Sequence, residues 1–384
     1  MIITREFARH PWARWAVPVA VAAVAVGGTT LVSQMSANAA DQLPPRSAAQ
    51  LLVDVQSAAD ATGSGTVVQK ADLGLPQLPT LGGSGSSNLT SLISGNHTLR
   101  IWYGGATKTR IALMGTLGES DIIRNGRDVW IWASDSNTAT HSLLAPDQAT
   151  KSPADAAADL GDVDALTPQQ VAEKALAAID PTTKVSTAGA AKVAGRDAYE
   201  LVLEPKDTAS LIGQVRIAVD AEKYVPLRVQ IFAKQATAAA AEVGFTHINF
   251  GTPSEAQFHF TPPPGVKVTE RPASPSDSVP PSASAKETQP TVTGTGWTAV
   301  LQAQQPATDS TSAGGSTSQI SPILGALPRK SGAWGSGRLL HSSLFNVLLT
   351  DSGRVLAGAV PAERLYELAG QPLPTASDLP VPAK

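Results

Sequence analysis

The sequence contains no cysteine, and this absence excludes several kinds of chemistry. Without a thiol the chain has no disulfide framework, no thiolate nucleophile, no cysteine-based zinc site and no cysteine that could carry a lipid anchor. Charge is also scarce, because charged residues make up only 16% of the 384 residues. The 29 Lys+Arg against 32 Asp+Glu leave a net charge of −3, so the sequence predicts no nucleic-acid-binding surface.

The sequence also lacks the common catalytic and metal-binding motifs. It has no G-x-S-x-G, no G-x-G-x-x-G and no P-loop, and its six histidines show no H-x-H or H-x-x-x-H spacing. We therefore expect no catalytic residues, no metal site and no cofactor, and we interpret the chain as a protein that is not an enzyme.

An export signal is present at the N-terminus. Arg5, Arg9 and Arg14 precede an apolar run over residues 15–32, and Ala37-Asn38-Ala39 follows as a small-x-small cleavage pattern. Cleavage near Ala39 would release a secreted chain. Retention of residues 15–32 would instead anchor the protein in the cytoplasmic membrane. Both alternatives place the remaining chain outside the cytoplasm, because the basic residues stay inside.

The pattern along the chain predicts a helix followed by a long antiparallel meander, broken once by helices over residues 152–180. Residues 271–291 are rich in Pro and Ser and indicate a linker, which a small C-terminal module over 292–370 and a disordered tail over 371–384 follow. Within that module we predict strands over residues 297–302 and 338–349, and a short helix over 361–369.

The hairpin at Asn125-Gly126 is the strongest local signal, because this dipeptide favours a tight two-residue turn. In the strand that follows, Trp130 and Trp132 share one face, while Val129 and Ile131 share the other. A strand that is apolar on both faces is covered on both sides, or borders a cavity on one of them.

Two motifs carry a family resemblance. The run from Phe258 to Val268, FHFTPPPGVKV, resembles the F-x-F-T-P-P-x-G-V pattern that closes the lipoprotein-carrier domain of the LolA/LolB/RseB superfamily. The run from Ile122 to Trp132, IIRNGRDVWIW, resembles the Trp-containing hairpin of that superfamily. Weaker support comes from the run over residues 195–205 and from Asp220 with Pro226-Leu227. The resemblance covers residues 47–270, which we interpret as one domain.

The resemblance implies an α+β fold, in which helices cover the concave side of a strongly curved antiparallel half-barrel and a small C-terminal α+β module follows. It also implies an apolar lumen that accommodates acyl chains. Alternation along the strands shows which residues share a face but not which face is concave, and ordinary core packing is the alternative. The candidate wall residues are Leu99, Ile101, Ile111, Leu113, Trp130, Trp132, Val215, Ile217, Leu227, Val229 and Ile231.

The sequence departs from the carrier pattern in one respect. Carriers of the LolA type have an Arg beside Pro in an early strand, and this Arg ties the helical lid shut. The matching region here, residues 101–108, has no Arg-Pro pair, and Arg100 and Arg110 lie nearby without matching it. The resemblance therefore does not imply the energy-coupled transfer of a lipoprotein that true carriers perform. The domain organisation, with an added C-terminal module, is closer to that of RseB.

Two functions are consistent with these patterns. The first is an exported envelope protein that holds the acyl chains of a lipid or lipoprotein, as a carrier or a sensor. The second is an RseB-like regulator that binds a membrane anti-sigma factor or another envelope protein. If the N-terminal helix is uncleaved, the protein would also be membrane-associated through it.

Overall fold

The structure is a computed structural model that describes residues 43–58, 61–75, 86–87, 89–144, 167–177, 179–271, 291–304 and 327–372. The predicted export signal, the interior of the predicted linker and most of the predicted tail lie outside these residues. Of the helical region predicted over residues 152–180, the described part is 167–177 and 179–180.

Twelve strands form one large sheet, in the order β12-β6-β5-β4-β3-β2-β1-β11-β10-β9-β8-β7. Within the described residues, β7 and β12 end this order without pairing with each other, so the curved sheet is not a closed barrel. The strands are β1 Thr62–Ala71, β2 Gly95–Gly104, β3 Lys108–Met114, β4 Glu119–Asn125, β5 Asp128–Ala133, β6 Thr138–Leu143, β7 Thr183–Val193, β8 Arg196–Pro205, β9 Ile212–Asp220, β10 Pro226–Ala233, β11 Ala239–Asn249 and β12 Lys267–Arg271.

The predicted antiparallel arrangement is confirmed for every pair of this sheet except one. Strand β12 runs parallel to β6, with Lys267 opposite Thr138 and Arg271 opposite Ser142. This exception arises because the chain crosses the sheet after β11 before it reaches the edge. Strand β1 joins the two meanders, because it pairs with β2 on one side and with β11 on the other.

Two short helices, α1 Ala48–Ser57 and α2 Pro168–Ala177, pack against one face of this sheet, which we call the inner face. Both begin with a capping box. Ser47 and Gln50 exchange hydrogen bonds at the start of α1, at 2.9 and 3.2 Å. Thr167 and Gln170 do the same at the start of α2, at 3.0 and 3.1 Å. This reciprocal bonding satisfies backbone N–H groups that the first turn leaves free.

A second, six-stranded sheet has the order β13-β14-β18-β17-β16-β15, and the helix α3 Ala362–Ala369 packs on it. Its strands are β13 Thr291–Thr293, β14 Val300–Gln304, β15 Arg329–Gly332, β16 Gly335–His341, β17 Asn346–Thr350 and β18 Arg354–Gly358. Its core consists of Val300, Leu339, Leu348, Leu356, Val360, Leu365 and Leu368.

Two strand predictions for this region were wrong in detail. The strand predicted over 338–349 is two strands, because Ser342 Oγ accepts the backbone N–H groups of Leu344 and Phe345 and makes a tight turn between them. The strand predicted over 297–302 begins only at Val300, after a short 3₁₀ helix over Gly296–Thr298.

The two sheets contact each other at several points. Trp297 Nε1 donates a hydrogen bond to Thr183 Oγ1 at 2.8 Å, and its ring packs against the core of the large sheet. The backbone N–H of Leu211 donates to Ala359 O at 2.8 Å. These contacts tie the second sheet to β7 and to the segment before β9.

A buried carboxylate, Asp220, fixes one end of β8 and β9. Arg196 donates two hydrogen bonds to it, and Asp220 Oδ1 also accepts the backbone N–H groups of Glu222 and Lys223 at 3.0 and 2.7 Å. Asp220 is fully buried. The bonds with Asp220 raise the pKa of the Arg196 guanidinium above its usual value. The Gly-Arg-Asp and Asp motifs are therefore structural.

A second buried carboxylate, Asp121, lies on the opposite side of the sheet from the helices, which we call the outer face. Arg110 donates to both of its oxygens, at 3.1 and 2.9 Å, and Glu119 also lies within 3.5 Å of the same guanidinium. Asp121 is only 1% exposed. Burial raises its pKa to about 6, although Arg110 acts in the opposite direction.

The first prediction concerns Asp220. We expect Asp220→Asn to lower the free energy of unfolding by about 2–3 kcal/mol, because Arg196 would lose its buried charge partner. Urea unfolding monitored by circular dichroism measures this change. Glu222→Gln is the matched control, because Glu222 also bonds Arg196 but is exposed, and its loss should cost less than about 0.5 kcal/mol. Equal losses in both variants would contradict the structural role of Asp220.

The second prediction concerns pH. Because the folded chain holds a proton on Asp121 up to about pH 6 while the unfolded chain releases it near 3.8, the folded state binds more protons between these values. Stability from this group is therefore lost as pH rises through that window. From pH 4 to pH 7, the unfolding free energy of the wild type should fall relative to that of Asp121→Asn by about 1–3 kcal/mol.

Urea denaturation at several pH values measures this difference. The exposed Asp197→Asn variant is the control, and it should track the wild type across the whole range. A constant offset between wild type and Asp121→Asn at every pH would show that the buried carboxyl is ionised throughout.

Candidate functional site

Strand register places most of the predicted wall residues on the inner face. In an antiparallel pair, residues that are directly opposite share a face. Ile101 is opposite Ile111, which is opposite Ile122, which is opposite Ile131, and this row packs into the core beneath the helices. The first half of the sheet therefore presents a continuous apolar row to the inner face.

The second half of the sheet continues this surface. Val229 is opposite both Val243 and Ile217, and Ile231 is opposite Val215. Eight of the predicted wall residues are at most 4% exposed, and Ile231 is partly buried against them. The nine predicted residues on the inner face are Leu99, Ile101, Ile111, Leu113, Val215, Ile217, Leu227, Val229 and Ile231.

Helices α1 and α2 cover part of this apolar surface. Leu51 and Val55 of α1 belong to the same buried cluster as the strand residues, and so does Ala172 of α2. Helix α2 lies over β10 and β11. The side chains that α2 presents to the core are the buried Ala172 and the partly buried Val171, Ala175 and Leu176.

The remaining two predicted wall residues, Trp130 and Trp132, lie on the outer face. Trp130 is opposite Ile123 and Trp132 is opposite Asp121, which alternate with the inner-face residues of β4. The structure therefore divides the eleven predicted residues between two faces. The sequence pattern alone left this open, because alternation does not show which face is covered.

The outer-face tryptophans contact the second family motif. Phe260 lies 5.2 Å from Trp130 and 5.9 Å from Trp132, measured between ring centroids, and His141 stacks on Trp130 at 4.2 Å. Phe258 is 2% exposed. The two motifs that indicated the family are thus packed against each other, so we infer that they stabilise the sheet.

The segment that carries Phe258 and Phe260 crosses the outer face as a strap. It reaches the sheet edge where Asn137 Nδ2 donates to Gly265 O at 2.9 Å and the Lys267 N–H donates to Asn137 O at 3.0 Å. A Cβ at Gly104 would lie 2.9 Å from Cε2 of Phe258, so only glycine allows this ring to approach β2 so closely. The strap then continues into β12.

The arginines near the position of the missing Arg-Pro pair also lie on the outer face. Trp102 has Arg100 and Arg110 over its ring, at 5.6 and 5.3 Å from the centroid. Because Arg100, Trp102 and Arg110 alternate with the inner-face residues of β2 and β3, neither arginine is on the face that α2 covers.

Sequence reasoning missed a group of polar residues on the inner face. Tyr103 is opposite Thr109, and Thr109 is opposite Arg124, so the three form one row at the end of the apolar surface. Thr109 and Arg124 are each 4% exposed. Alternation could have placed each residue on the same face as a nearby isoleucine two positions away, but only the strand register makes the three residues neighbours.

Burial changes the acid–base properties of this row. It raises the pKa of the Tyr103 hydroxyl above its usual value and lowers the pKa of the Arg124 guanidinium. Arg124 Nε donates to Gly126 O at 3.1 Å. Among the residues that the structure describes, the buried Tyr103 hydroxyl and Thr109 Oγ1 have no hydrogen-bond partner. Such orphaned groups are uncommon in folded proteins.

The described part of the chain contains no group of three or more His, Asp or Glu side chains placed to hold a metal ion. Within the same segments, no helix has both the length and the hydropathy that crossing a bilayer requires. The inner face itself is an apolar surface with one polar end.

A comparison with known families matches residues 94–264 to the MucB/RseB N-terminal domain. The match begins just before β2 and ends within the strap, so it contains both motifs. No curated protein matches the sequence.

Solved structures also resemble the chain. A chain of the MucA/MucB complex of Pseudomonas aeruginosa is 15% identical, with a TM-score of 0.42, and the alignment covers 84% of this chain and 96% of that one. An uncharacterized conserved protein from Thermus thermophilus is 12% identical, with a TM-score of 0.33 over 58% of this chain and 97% of that one.

A LolA superfamily protein from Nitrosomonas europaea is 9% identical, with a TM-score of 0.22, covering 56% of this chain and 99% of that one. The family match is independent of these similarities and agrees with the two motifs. Residues 94–264 therefore match the model of the MucB/RseB N-terminal domain, in agreement with the resemblance that the two motifs carry.

Proposed function

We propose that this protein is an extracytoplasmic binding protein of the cell envelope, which holds the acyl chains of a lipid or lipoprotein between the inner face of the large sheet and its helices. The observation that carries the proposal is the continuous inner face, where nine of the predicted residues lie side by side across both halves of the sheet. The family match over residues 94–264 supports an envelope role.

The energetics favour a ligand of this kind. An acyl chain gains about 0.8 kcal/mol for each CH₂ group that it buries, so a broad aliphatic wall is sufficient for binding. The inner face supplies such a wall, formed by the buried Leu, Ile and Val side chains of both halves of the sheet.

Helix α2 is the element that we expect to move when a ligand enters. It has ten residues, and isolated helices of this length are marginal in water, so packing on the sheet must stabilise it. An acyl chain that replaced Ala172 and its neighbours against β10 and β11 would offset the loss of their contacts. The same movement could serve a carrier, which releases its ligand, or a sensor, which reports it.

A second candidate function is an RseB-like regulator that binds an envelope protein such as a membrane anti-sigma factor. The observation that favours it is the free edge that β7 forms within the described residues. Thr187 to Ala190 are exposed on this edge, and a Cβ at Gly189 would meet nothing within 4 Å. An extended segment of another protein can add to such an edge through backbone hydrogen bonds.

The third prediction tests acyl binding. We expect the purified full chain to bind a fluorescent long-chain fatty acid and to carry lipid that mass spectrometry detects after organic extraction. Ala172→Phe should weaken binding at least tenfold, because the ring would occupy the space between α2 and the sheet. The matched control is Ala177→Phe on the same helix, because Ala177 is exposed, and it should bind as the wild type does.

Thermal unfolding of both variants shows whether they are folded, and the smaller Ala172→Val provides a second test if Ala172→Phe is not. Equal affinity in wild type, Ala172→Phe and Ala177→Phe, with all three folded, would contradict binding beneath α2. Absence of any acyl binding by the wild type would overturn the proposed function.

The fourth prediction tests the regulator. We expect a protein captured from detergent-solubilised envelope to bind Thr187→Glu at least tenfold more weakly, because a charge at the edge of β7 opposes strand addition. Thr246→Glu is the control, since Thr246 is also exposed but lies on the central strand β11. Quantitative mass spectrometry of the captured material measures both. Equal capture by the two variants would exclude β7 as the docking edge.

A further inference from the structure

The polar row on the inner face lies where the apolar surface ends. Tyr103 is the last inner-face residue of β2 before its turn, Thr109 is the first of β3 after it, and Arg124 is opposite Thr109 on β4. Directly opposed residues have their Cβ atoms about 4.5–5.5 Å apart. The three side chains therefore start from adjacent points of the sheet and border the same end of the inner face.

Neither hydroxyl group makes a hydrogen bond of ordinary geometry within the described residues, although the Thr167 hydroxyl lies beside that of Tyr103. Among the described residues, neither the Tyr103 hydroxyl nor Thr109 Oγ1 has a hydrogen-bond partner, although both atoms are buried. Phe and Val would fill the same space without a desolvation cost that nothing offsets. Buried polar atoms of this kind generally indicate a missing water or ligand, and here both face the surface that we propose to bind acyl chains.

We propose that Tyr103 and Thr109 donate hydrogen bonds to the carbonyl oxygen of a bound acyl group, and that Arg124 adds positive charge beside it. This inference rests on the proposed acyl-binding function and specifies which end of the ligand lies where. A carbonyl oxygen accepts two hydrogen bonds through its two lone pairs, which matches the two available donors.

The length of the apolar surface agrees with this orientation. From Tyr103 the inner-face residues of β2 run through Ile101 and Leu99 to the buried His97, six positions away. This distance is about 20 Å at the rise of a β-strand. Acyl chains in one leaflet of a bilayer span about 15 Å, half of its hydrocarbon core of about 30 Å. A chain anchored at Tyr103 therefore fits along β2.

Helix α2 borders the same end of the inner face. The Thr167 hydroxyl lies beside Tyr103, and the negative charge of Glu173 raises the pKa of the Tyr103 hydroxyl further. Because Glu173 is negative and Arg124 is positive, an ester carbonyl and a free carboxylate meet different local charges. The two sources of an acyl carbonyl are therefore distinguishable by experiment.

The fifth prediction compares three ligands with the same chain: palmitate, 1-palmitoylglycerol and its ether analogue 1-O-hexadecylglycerol, which lacks the carbonyl. Each ligand displaces a fluorescent probe from the full-length protein. We expect the wild type to bind 1-palmitoylglycerol about tenfold more tightly than the ether, which corresponds to two ordinary hydrogen bonds. Palmitate binding more tightly than the ester would identify a free carboxylate as the preferred source, and the reverse order would identify an ester.

The Tyr103→Phe and Thr109→Val double variant should lose the preference for the ester over the ether. Its melting temperature should rise, because it no longer buries unpaired hydroxyls. The control is Tyr199→Phe, since the Tyr199 ring also packs against the core but its hydroxyl donates to Pro44 O at 2.9 Å. This control should keep the tenfold preference. Each single variant is expected to lose part of the preference for the ester. The single variants replace the double variant in this test if the double variant does not fold.

The outcomes separate this inference from the proposed function. If the wild type binds ester and ether equally, or if the folded double variant keeps the tenfold preference, the carbonyl site is refuted while acyl binding stands. If the wild type binds none of the three ligands, acyl binding itself is refuted, and the carbonyl site falls with it.

Discussion

The architecture depends on the pairing of β1 with β11, which joins two meanders into one sheet. This pairing requires very close backbone approach. A Cβ at Gly65 would lie 2.5 Å from His247 O and 2.7 Å from the Phe245 ring, and a Cβ at Gly63 would lie 2.7 Å from Asn249 O. The Gly-Ser-Gly segment of β1 is therefore a steric requirement.

Next to it, the register shifts between Thr66 and Val67. Such an irregularity bends the strand, which helps the long sheet to curve around its helices. Without this junction the inner-face residues of the two halves would not form one surface.

Features that depend on neighbours in sequence were predictable. The Asn125-Gly126 turn set the register of β4 and β5, and alternation correctly grouped Leu99 with Ile101 and Val215 with Ile217.

Features that depend on contacts between distant parts of the chain were not predictable. Nothing near Lys267 indicates that β12 would pair in parallel with β6, more than a hundred residues earlier. Which face of β5 the helices cover is likewise decided by contacts from α1, α2 and the strap, so Trp130 and Trp132 could not be assigned to a face. The polar row escaped notice because Tyr103, Thr109 and Arg124 lie on three strands and become neighbours only through register.

The family motifs and the candidate binding surface lie on opposite faces of the sheet. Trp130, Trp132 and Phe260 pack together on the outer face, where Phe258 is buried. These contacts bring the strap across β3 and β4 and position β12 at the edge. The motifs therefore reflect how the strap covers the outer face of the sheet. They carry no information about the ligand. Information about the ligand lies in the inner-face residues. These positions need only be aliphatic, and many different sequences meet that requirement. This separation explains why a match to the family model over residues 94–264 does not identify a ligand.

The inner face combines two kinds of residue that have opposite effects on stability. Leu99, Ile101 and their neighbours stabilise the fold when they are buried, whether by the protein's own helices or by a ligand. Tyr103 and Thr109 instead bury hydroxyl groups that find no partner among the described residues, and this costs stability. A protein selected only for a stable core has no use for such groups, because Phe and Val would pack equally well. Their location at one end of an otherwise apolar surface is what a site needs if it is to bind a long apolar chain in one orientation. The buried hydroxyls lower the stability of the unliganded protein, and the ligand that we propose, with a polar end and an apolar chain, would offset this cost when it binds.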